Sequence, residues 1–244
     1  SGIGQNPIAK ERQTLERARE VLDAARHAGV FVSYCISHFR PGFPEVSDRN
    51  KTRAARRDSG EVLPADPATL IHPSVQPKAG EPVIAKHRTS AFSGSAFEMI
   101  LRAHNIETLI LMGHATSGVI LSTVRLAADL DYHLIVVEDG CADRDPEVHK
   151  LLMAKVFPRQ GTVVSAQAMV EALADEVKLV RLHLAMPRGG GPFFWPVPLP
   201  GPDGDLSKLM LEPRPCLLVM RRSSSCDFSQ KDPEGRGADC PEIW

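Results

Sequence analysis

The sequence lacks paired cysteines, an excess of charge of one sign, and any long apolar run. Its cysteines are odd in number and form no CxxC pair, which argues against a disulfide scaffold or a structural zinc site. They are Cys35, Cys141, Cys216, Cys226 and Cys240. A net charge of −1 gives no broad basic surface for nucleic acid. No segment has the length of a transmembrane span, and the N-terminal residues lack the apolar core of a signal peptide. We therefore predict a cytoplasmic protein that binds neither nucleic acid nor membrane.

Three glycine-containing motifs are also absent, and each absence excludes a class of enzyme. The sequence has no GxGxxG dinucleotide fingerprint, no GxxxxGK[ST] phosphate loop and no GxSxG nucleophile elbow. Its histidines show no spacing typical of metal ligands. We therefore predict neither a cofactor nor a metal ion, and nucleotide binding is left as an alternative without a fingerprint to support it.

The composition divides the chain into two regions. Residues 1–184 alternate strand-like and helix-like apolar patterns, whereas residues 185–244 hold half of the 20 prolines and the run Gly189-Gly190-Gly191. Proline lacks a backbone donor and glycine loses much entropy on ordering, so this second region is predicted to be a mostly disordered tail. Within the tail, the apolar run from Cys216 to Met220 predicts a short strand.

Alternating helices and strands are predicted throughout the first region. Apolar runs predict strands near residues 30–36, 82–85, 108–112, 133–137 and 162–165, and helical spacing predicts helices near 9–28, 96–104, 117–130, 145–156 and 166–177. Such alternation predicts a three-layer α/β/α fold around a mainly parallel, Rossmann-like sheet. A ligand site is expected beyond the carboxyl ends of its strands. The proline-containing segment between the first two strands is expected to be a long loop.

Two segments at those strand ends carry groups suited to catalysis. Lys86 directly follows the second strand, where an ammonium can stabilise developing negative charge, although most lysines are solvated. Residues 113–119, GHATSGV, lead into a helix, whose first amides can hold an oxyanion. Thr116 and Ser117 are equally natural helix caps, and Ser117 lacks a separate base for a serine mechanism. The acids after the next strand are interpreted as loop or capping groups: Asp139, Asp143 and Asp145.

Several segments together resemble the isochorismatase-like, or cysteine hydrolase, superfamily. The segment VIAKHRTSAFSGS, beginning at Val83, is similar to the family's K-x-R-x-S-A-F-x-G-T pattern. The segment TLILMGHAT, beginning at Thr108, resembles the strand and turn before the family nucleophile. Residues 127–143, AADLDYHLIVVEDGCAD, match the next helix end and strand, and His149 with residues 156–158 fits the segment beyond. The resemblance implies an α/β/α hydrolase fold.

The resemblance also implies roles for individual residues. Lys86 matches the family's catalytic lysine, and the family's non-proline cis peptide falls at His114–Ala115. The amides of Gly118 and Val119 then form an oxyanion hole for hydrolysis of an amide or a related C–N bond. Arg40 is the candidate for binding a carboxylate, and the family implies a homo-oligomer. The residues expected to contact a small-molecule substrate are His38, Phe39, Arg40, Phe43, Arg88, Thr116 and Ser117.

Two departures from the family pattern leave two hypotheses. The position of the nucleophilic cysteine is Val119, and no apolar strand ending in the family's aspartate precedes the first helix. The first hypothesis is a hydrolase of a small amide or a vinyl ether, with an incomplete N-terminus and a missing first, central strand. The second is a catalytically inactive binding or oligomerisation module that keeps the fold.

Overall fold

The computed structural model describes residues 13–60, 62–175 and 215–222, and one mixed sheet organises them. The six strands are β1 (Phe31–Ser37), β2 (Val83–Lys86), β3 (Ile106–His114), β4 (His133–Ala142), β5 (Thr162–Val164) and β6 (Pro215–Arg222). The α-helices of the described residues are α1 (Thr14–His27), α2 (Lys51–Asp58), α3 (Phe97–Ala103), α4 (Leu121–Asp129), α5 (Pro146–Leu151) and α6 (Ala166–Leu173). The predicted α/β class is confirmed.

The sheet is parallel except for β6, which lies in its middle. The strand order is β2-β1-β6-β3-β4-β5. β6 runs antiparallel to both neighbours, and its Val219 lies opposite Val32 of β1 and Ile110 of β3. The short strand expected within the tail is thereby confirmed, and it pairs inside the sheet of the first region. The rest of the predicted tail, like the start of the first predicted helix, lies outside the described residues.

A sheet without its central strand, as expected from the sequence, would leave backbone groups of β1 and β3 facing a gap; in the structure β6 occupies that place. Buried backbone donors and acceptors are nearly always paired, so an empty gap would be strongly unfavourable. β6 supplies the partners for β1 over residues 31–36 and for β3 over residues 106–113. The sheet is therefore continuous, although no strand preceding α1 is among the described residues.

Continuous apolar runs mark the strands because both faces of the sheet are covered. Leu109, Ile110, Leu111 and Met112 of β3 are completely buried. α1 packs against α6 and β4, while α3 packs against β3 and α4 against β4. The apolar face predicted for the helix after β3 is buried as expected, including Val124. None of the helices in the described ranges is both long and apolar enough to cross a membrane.

The segment between β1 and β2 is more ordered than its composition indicates. The expectation of a loop throughout is wrong for α2, which begins after Asn50, whose side-chain oxygen accepts a hydrogen bond from the Arg53 amide at 3.3 Å. The helix sequence KTRAARRD has no apolar stripe, and its buried residues are Arg53 and Arg56. Apolar periodicity, which found the other helices, therefore carries no signal here.

Hydrogen bonds from Arg26 hold the residues before β2 against α1, at the edge of the sheet opposite the carboxyl ends of the strands. Arg26 donates from Nε and one terminal nitrogen to the two Glu81 carboxylate oxygens, at 2.7 and 2.8 Å. The same arginine donates to the Tyr34 hydroxyl at 3.2 Å and to the Gln76 carbonyl at 2.9 Å. Burial raises the pKa of Tyr34, as does the nearby Glu81 carboxylate. Two parallel hydrogen bonds to one carboxylate give this pair both strength and a fixed geometry.

Substitution of Glu81 by glutamine is expected to lower the free energy of unfolding by about 2 kcal/mol at neutral pH. Burial raises the pKa of Glu81, but hydrogen bonds from Arg26 and the Lys78 amide outweigh it, so that pKa lies below its ordinary value. The stabilisation is therefore present above the pKa of the unfolded chain, about 4.3, and is lost as pH falls through the folded pKa. Urea unfolding from pH 3 to 8 measures both effects.

The matched control is Glu20→Gln, which removes an exposed pair with Arg17 whose two side chains are 45% and 40% exposed. Exposed pairs contribute little, so a change below about 0.5 kcal/mol is expected. Equal losses in the two variants, or a difference that persists unchanged at pH 3, would contradict the structural role of Glu81.

Candidate active site

Lys86 ends β2 at the carboxyl edge of the sheet, beside Ser37 at the end of β1. Lys86 is only 2% exposed, whereas most lysines at strand ends are solvated. The ammonium donates to the Ser37 hydroxyl at 3.3 Å and to the carbonyl oxygens of Arg88 and Thr89 at 2.9 and 3.1 Å. The chain after β2 thus folds back over the ammonium and fixes its position.

The turn after β3 is held by side chains from two other elements. The His114–Ala115 peptide bond is cis, which confirms the bond expected from the resemblance. Thr116 Oγ1 lies 2.8 Å from Nδ1 of His149 in α5, and both residues are buried. The carboxylate of Asp143, just after β4, accepts a hydrogen bond from the Ser117 amide at 2.6 Å. Thr116 therefore holds the turn in place. Because Thr116 is completely buried and Ser117 is exposed, Ser117 is the more accessible of the two residues that were expected to contact the substrate.

Asp139 and Asp145 bind the first amides of helices, as predicted for the acids of this region, but Asp139 lies within β4 and not in a loop after it. Asp139 accepts a hydrogen bond from the first amide of α6, that of Ala166, at 2.6 Å. Asp145 caps α5 by accepting from the amides of Glu147 and Val148 at 2.9 and 3.2 Å. In the described ranges no group of three or more histidine, cysteine, aspartate or glutamate side chains is placed to hold a metal ion.

Most amides of the turn are already engaged in local hydrogen bonds. Residues 116–120 form one π-helical turn before α4, and the Gly118 amide donates to the Ala115 carbonyl at 3.1 Å. An oxyanion at Gly118 would have to replace that bond. The Val119 side chain is 6% exposed and packs in the apolar core. The expected oxyanion hole accordingly depends on the Val119 amide more than on that of Gly118.

Lys86 and the turn lie along the same edge of the sheet. β2, β1 and β3 share one direction, because β6 is antiparallel to both of its neighbours. Two strands separate β2 from β3, and a spacing of about 4.8 Å per strand puts their ends about 14 Å apart. The segment after Lys86 spans this gap: the Ala91 amide donates to Thr123 Oγ1 of α4 at 3.0 Å. The two predicted parts of the site therefore face one common rim.

The predicted substrate-contacting loop begins on that rim, directly after β1. Phe39 is 2% exposed and lies 5.5 Å, between ring centroids, from Phe43. His38 Nε2 donates to the Pro64 carbonyl at 2.7 Å, and its own carbonyl accepts from His87 Nδ1 at 2.6 Å. Arg40, by contrast, has a side chain that is 71% exposed and is hydrogen-bonded to Glu45. Its charge is thus neutralised on the outside of the loop.

Buried arginines from α2 join Lys86 at the rim. Arg53 and Arg56 are 8% and 4% exposed, and their guanidinium carbons lie 5.7 and 5.6 Å from the centroid of the Phe39 ring. Arg53 reaches the Ser37 hydroxyl at 3.4 Å, the same oxygen that Lys86 contacts. Arg88 is half-buried and donates to the His87 carbonyl at 2.9 Å. A strongly cationic cluster therefore borders the carboxyl ends of β1 and β2.

A family model described as Isochorismatase domain matches residues 4–168. The chain belongs to the isochorismatase family. It is similar to the uncharacterized isochorismatase family protein YwoC of Bacillus subtilis, with 28% identity over 165 residues that cover 68% of this chain and 86% of that protein. It is also similar to maleamate amidohydrolase of Pseudomonas putida, with 26% identity over 159 residues, or 65% of this chain and 74% of that protein.

The fold agrees with solved isochorismatase structures. An isochorismatase family protein from Desulfovibrio vulgaris matches with a TM-score of 0.58 and 28% identity over 66% of this chain and 85% of that one. The family match includes Lys86, the cis peptide turn and α2, and it ends before β6. This isochorismatase domain thus completes its sheet with a strand from beyond the matched residues.

Sequence reasoning missed Arg53 and Arg56 because they lie in a segment without apolar periodicity. A signal was nevertheless present, since three arginines occur within residues 53–57 on what proves to be a helix. Arginine is rarely fully buried unless it is paired. Burial, together with the neighbouring charges of Arg56 and Arg88, lowers the pKa of Arg53 to about 10.

Substitution Arg53→Met is expected to raise the free energy of unfolding by about 1–3 kcal/mol at pH 7. The folded pKa of this base lies below its unfolded value, so folding disfavours the charged form at every pH below about 10. The lost hydrogen bonds to Ser37 and Thr89 are both 3.4 Å long and offset only part of that gain. Chemical denaturation measures the change.

The control for this stability effect is Arg57→Met on the same helix. Arg57 pairs with Asp48 and Asp58 at the surface, so its loss is expected to leave the free energy of unfolding nearly unchanged. If Arg53→Met destabilises the chain more than Arg57→Met does, the buried arginine is a structural contributor and the expectation is wrong.

Proposed function

We propose that this isochorismatase-family chain hydrolyses a small-molecule amide, with a vinyl ether as the alternative substrate type. The observation that carries the proposal is the Lys86 ammonium, buried and fixed by three oxygens on the same rim as the cis peptide turn. The similarity to a protein named maleamate amidohydrolase supports the amide bond as the one that is cleaved.

In the proposed reaction, water attacks the carbonyl carbon of the amide. Negative charge develops on the carbonyl oxygen, and a preorganised cation or amide donor stabilises that charge best where water is excluded. Lys86 is the proposed cationic group, and one of its three hydrogen bonds has to be exchanged for one to the substrate oxygen. The Val119 amide is the proposed donor from the turn after β3. The carbon–nitrogen bond then breaks, the nitrogen leaves with a proton as ammonia or an amine, and a carboxylic acid remains.

Water is the proposed nucleophile because residue 119, which matches the cysteine position of the family, is valine. A valine side chain has no atom that can attack a carbonyl. Cys35 and Cys141 are both buried. Hydrolysis is therefore expected to persist after treatment with iodoacetamide, and complete inactivation by that reagent would contradict a water nucleophile.

The decisive experiment is ammonia release from a panel of small amides by the full chain, with isochorismate as the vinyl-ether arm. Turnover of one or more amides above the uncatalysed rate is the expected result. Turnover of isochorismate alone would move the proposal to the vinyl ether. No turnover of any compound, in the presence of measurable binding, would reject the hydrolase proposal.

Because Val119 cannot act as a nucleophile, the second candidate is a catalytically inactive binding or oligomerisation module. Thermal-shift measurements with small amides and carboxylates, beside size-exclusion chromatography, separate the two. Binding without turnover in a stable homo-oligomer supports this second candidate. We also propose that the chain is cytoplasmic and homo-oligomeric in either case, and elution at the monomer mass would reject the oligomer.

A further inference from the structure

The register of the sheet brings together two cysteines from distant parts of the chain. Cys35 of β1 and Cys216 of β6 are direct partners across the antiparallel pair of these strands. Residues directly opposite each other in such a pair lie on the same face of the sheet. The spacing of the two cysteines in the sequence gives no sign of this contact, because the place of β6 depends on long-range pairing. A pair of cysteines therefore lies where β6 joins β1.

The hydrogen bonds of β1 define the geometry of this pair. On the β2 side, the Tyr34 amide donates to the Pro82 carbonyl at 2.9 Å. Successive residues of a strand direct their backbone groups to opposite sides, so Cys35 directs its amide and carbonyl toward β6. Cys35 and Cys216 therefore form a hydrogen-bonded pair of the ladder, in which the Cα atoms are about 5.5 Å apart.

The neighbouring pair, Ile36 and Pro215, agrees with this assignment. Proline has no backbone donor, so it suits a position at which the ladder makes no hydrogen bond. Since the two kinds of position alternate, the next pair along, Cys35 and Cys216, is a hydrogen-bonded one. A disulfide usually joins Cα atoms about 4.4–6.8 Å apart, and the distance expected for this pair lies inside that range.

Cys141 of β4 lies in the same row of the sheet but too far away to compete. Gly113 of β3 is the partner of Cys216 on one side and of Cys141 on the other. Two strand spacings, about 9.6 Å, therefore separate Cys141 from Cys216, whereas a disulfide does not span more than about 7 Å between Cα atoms. The sheet thus selects Cys35 over Cys141 as the partner of Cys216.

We propose that Cys35 and Cys216 form a reversible disulfide that locks β6 to β1 under oxidising conditions. β6 supplies the backbone partners of both β1 and β3, so its departure would open the middle of the sheet. A covalent bond between β1 and β6 prevents that departure. The lock is independent of the proposed hydrolysis, because it uses no group assigned to the reaction.

The oxidant is a small-molecule disulfide, and the bond forms in two exchange steps. The thiolate of one cysteine attacks the small disulfide, forms a mixed disulfide and releases one small thiol. The thiolate of the other cysteine then attacks the protein sulfur of the mixed disulfide, which forms the Cys35–Cys216 bond and releases a second small thiol. The two cysteines together lose two electrons and two protons, and the two released thiols carry them.

Burial and geometry make the bond conditional. Cys35 is completely buried, so a small disulfide reaches it only when β6 separates from β1. The Cβ atoms of facing residues lie about 4.5–5.5 Å apart in a sheet but about 3.5–4.5 Å apart in a disulfide, so the bond draws the two strands together. A strained disulfide is the more readily reduced, and in a reducing compartment the two thiols are therefore the resting form.

The test is oxidation of the full chain with oxidised glutathione, followed by peptide mapping under non-reducing conditions and by thermal denaturation. The same chain in reduced glutathione is the reference. The variants are Cys216→Ala, which removes the proposed bond, and the matched control Cys141→Ala. The wild-type chain oxidised in concentrated guanidinium chloride shows which cysteines pair when no fold directs them.

The wild type and Cys141→Ala are expected to give the Cys35–Cys216 link as the main product. Their melting temperature is expected to rise by roughly 5–10 °C on oxidation, since the closed loop is long, and to return on reduction. Cys216→Ala is expected to show no such rise. Low concentrations of urea are expected to speed formation of the link, because they favour separation of β6.

The proposal is overturned if the folded chain forms no Cys35–Cys216 link, or if it gives the same mixture of links as the unfolded chain. An oxidised chain that carries the link but melts with the reduced one would contradict the locking role. A rate of linking that does not respond to urea would contradict the need for β6 to separate. If Cys216→Ala does not fold, the peptide maps of the folded and unfolded wild type decide the test.

Discussion

Replacement of Lys86 by methionine is expected to lower kcat/KM for an amide substrate by ~100-fold to ~1000-fold, the usual effect of removing one donor to a developing oxyanion. Methionine keeps the length of the side chain and removes its charge. The loss is expected in kcat, with KM changed less, because the ammonium acts on charge that appears only in the transition state. Ammonia release under saturating substrate measures it.

Lys78→Met is the matched control for that substitution. Lys78 lies in the same connection between β1 and β2 but is exposed, so its loss is expected to leave both kinetic constants unchanged. The melting temperature of Lys86→Met is expected to change little, since removal of a buried charge offsets its three lost hydrogen bonds. Full activity of folded Lys86→Met would remove this lysine from the reaction and with it the proposed site.

Substitution of Gly161 by alanine is expected to lower the free energy of unfolding by about 3 kcal/mol. A Cβ atom at this position would lie 2.5 Å from the carbonyl oxygen of Leu134 and 2.7 Å from its Cβ. Gly161 directly precedes β5, and Leu134 belongs to the neighbouring β4. Because the nearest obstructing atom is a backbone oxygen of a paired strand, relief of the clash requires β5 to move away from β4.

Gly118→Ala provides the comparison for this steric prediction. A Cβ there would meet only the Ala115 Cβ, at 3.7 Å, which is ordinary contact distance. Its effect on stability is therefore expected to be within about 0.5 kcal/mol. Thermal denaturation of both variants measures the difference in their stability. If Gly161→Ala melts together with Gly118→Ala, β4 and β5 are not as closely packed as described.

Much of the fold was predictable because buried parallel strands produce continuous apolar runs. The run Leu109 to Met112 predicts a central strand whatever lies beside it, and the observed β3 contains it. The cis bond at His114–Ala115 and the capping roles of Asp139 and Asp145 were likewise predictable. These features depend on local sequence or on a family pattern, so no knowledge of long-range contacts was needed to find them.

The features that escaped prediction depend on partners distant in sequence. A short strand from Cys216 to Met220 was expected, but the place of β6 between β1 and β3 depends on the unpaired backbone groups of two strands about 100 residues or more away in the chain. The burial of Arg53 depends on Ser37 and Phe39 at the end of β1 and on Thr89 after β2, which are two separate segments. Neither the place of β6 in the sheet nor the burial of Arg53 produces a periodic pattern in the sequence.

The position of β6 also has a consequence for how the chain is made. β2 and β1 form one ribbon and β3, β4 and β5 another, and the two are joined through residues 215–222. Since synthesis proceeds from the N-terminus, both ribbons emerge from the ribosome with an open inner edge until β6 is synthesised. Open edges are templates for pairing with other chains. Nascent molecules are therefore expected to need shielding by chaperones for longer than a protein whose central strand is translated first.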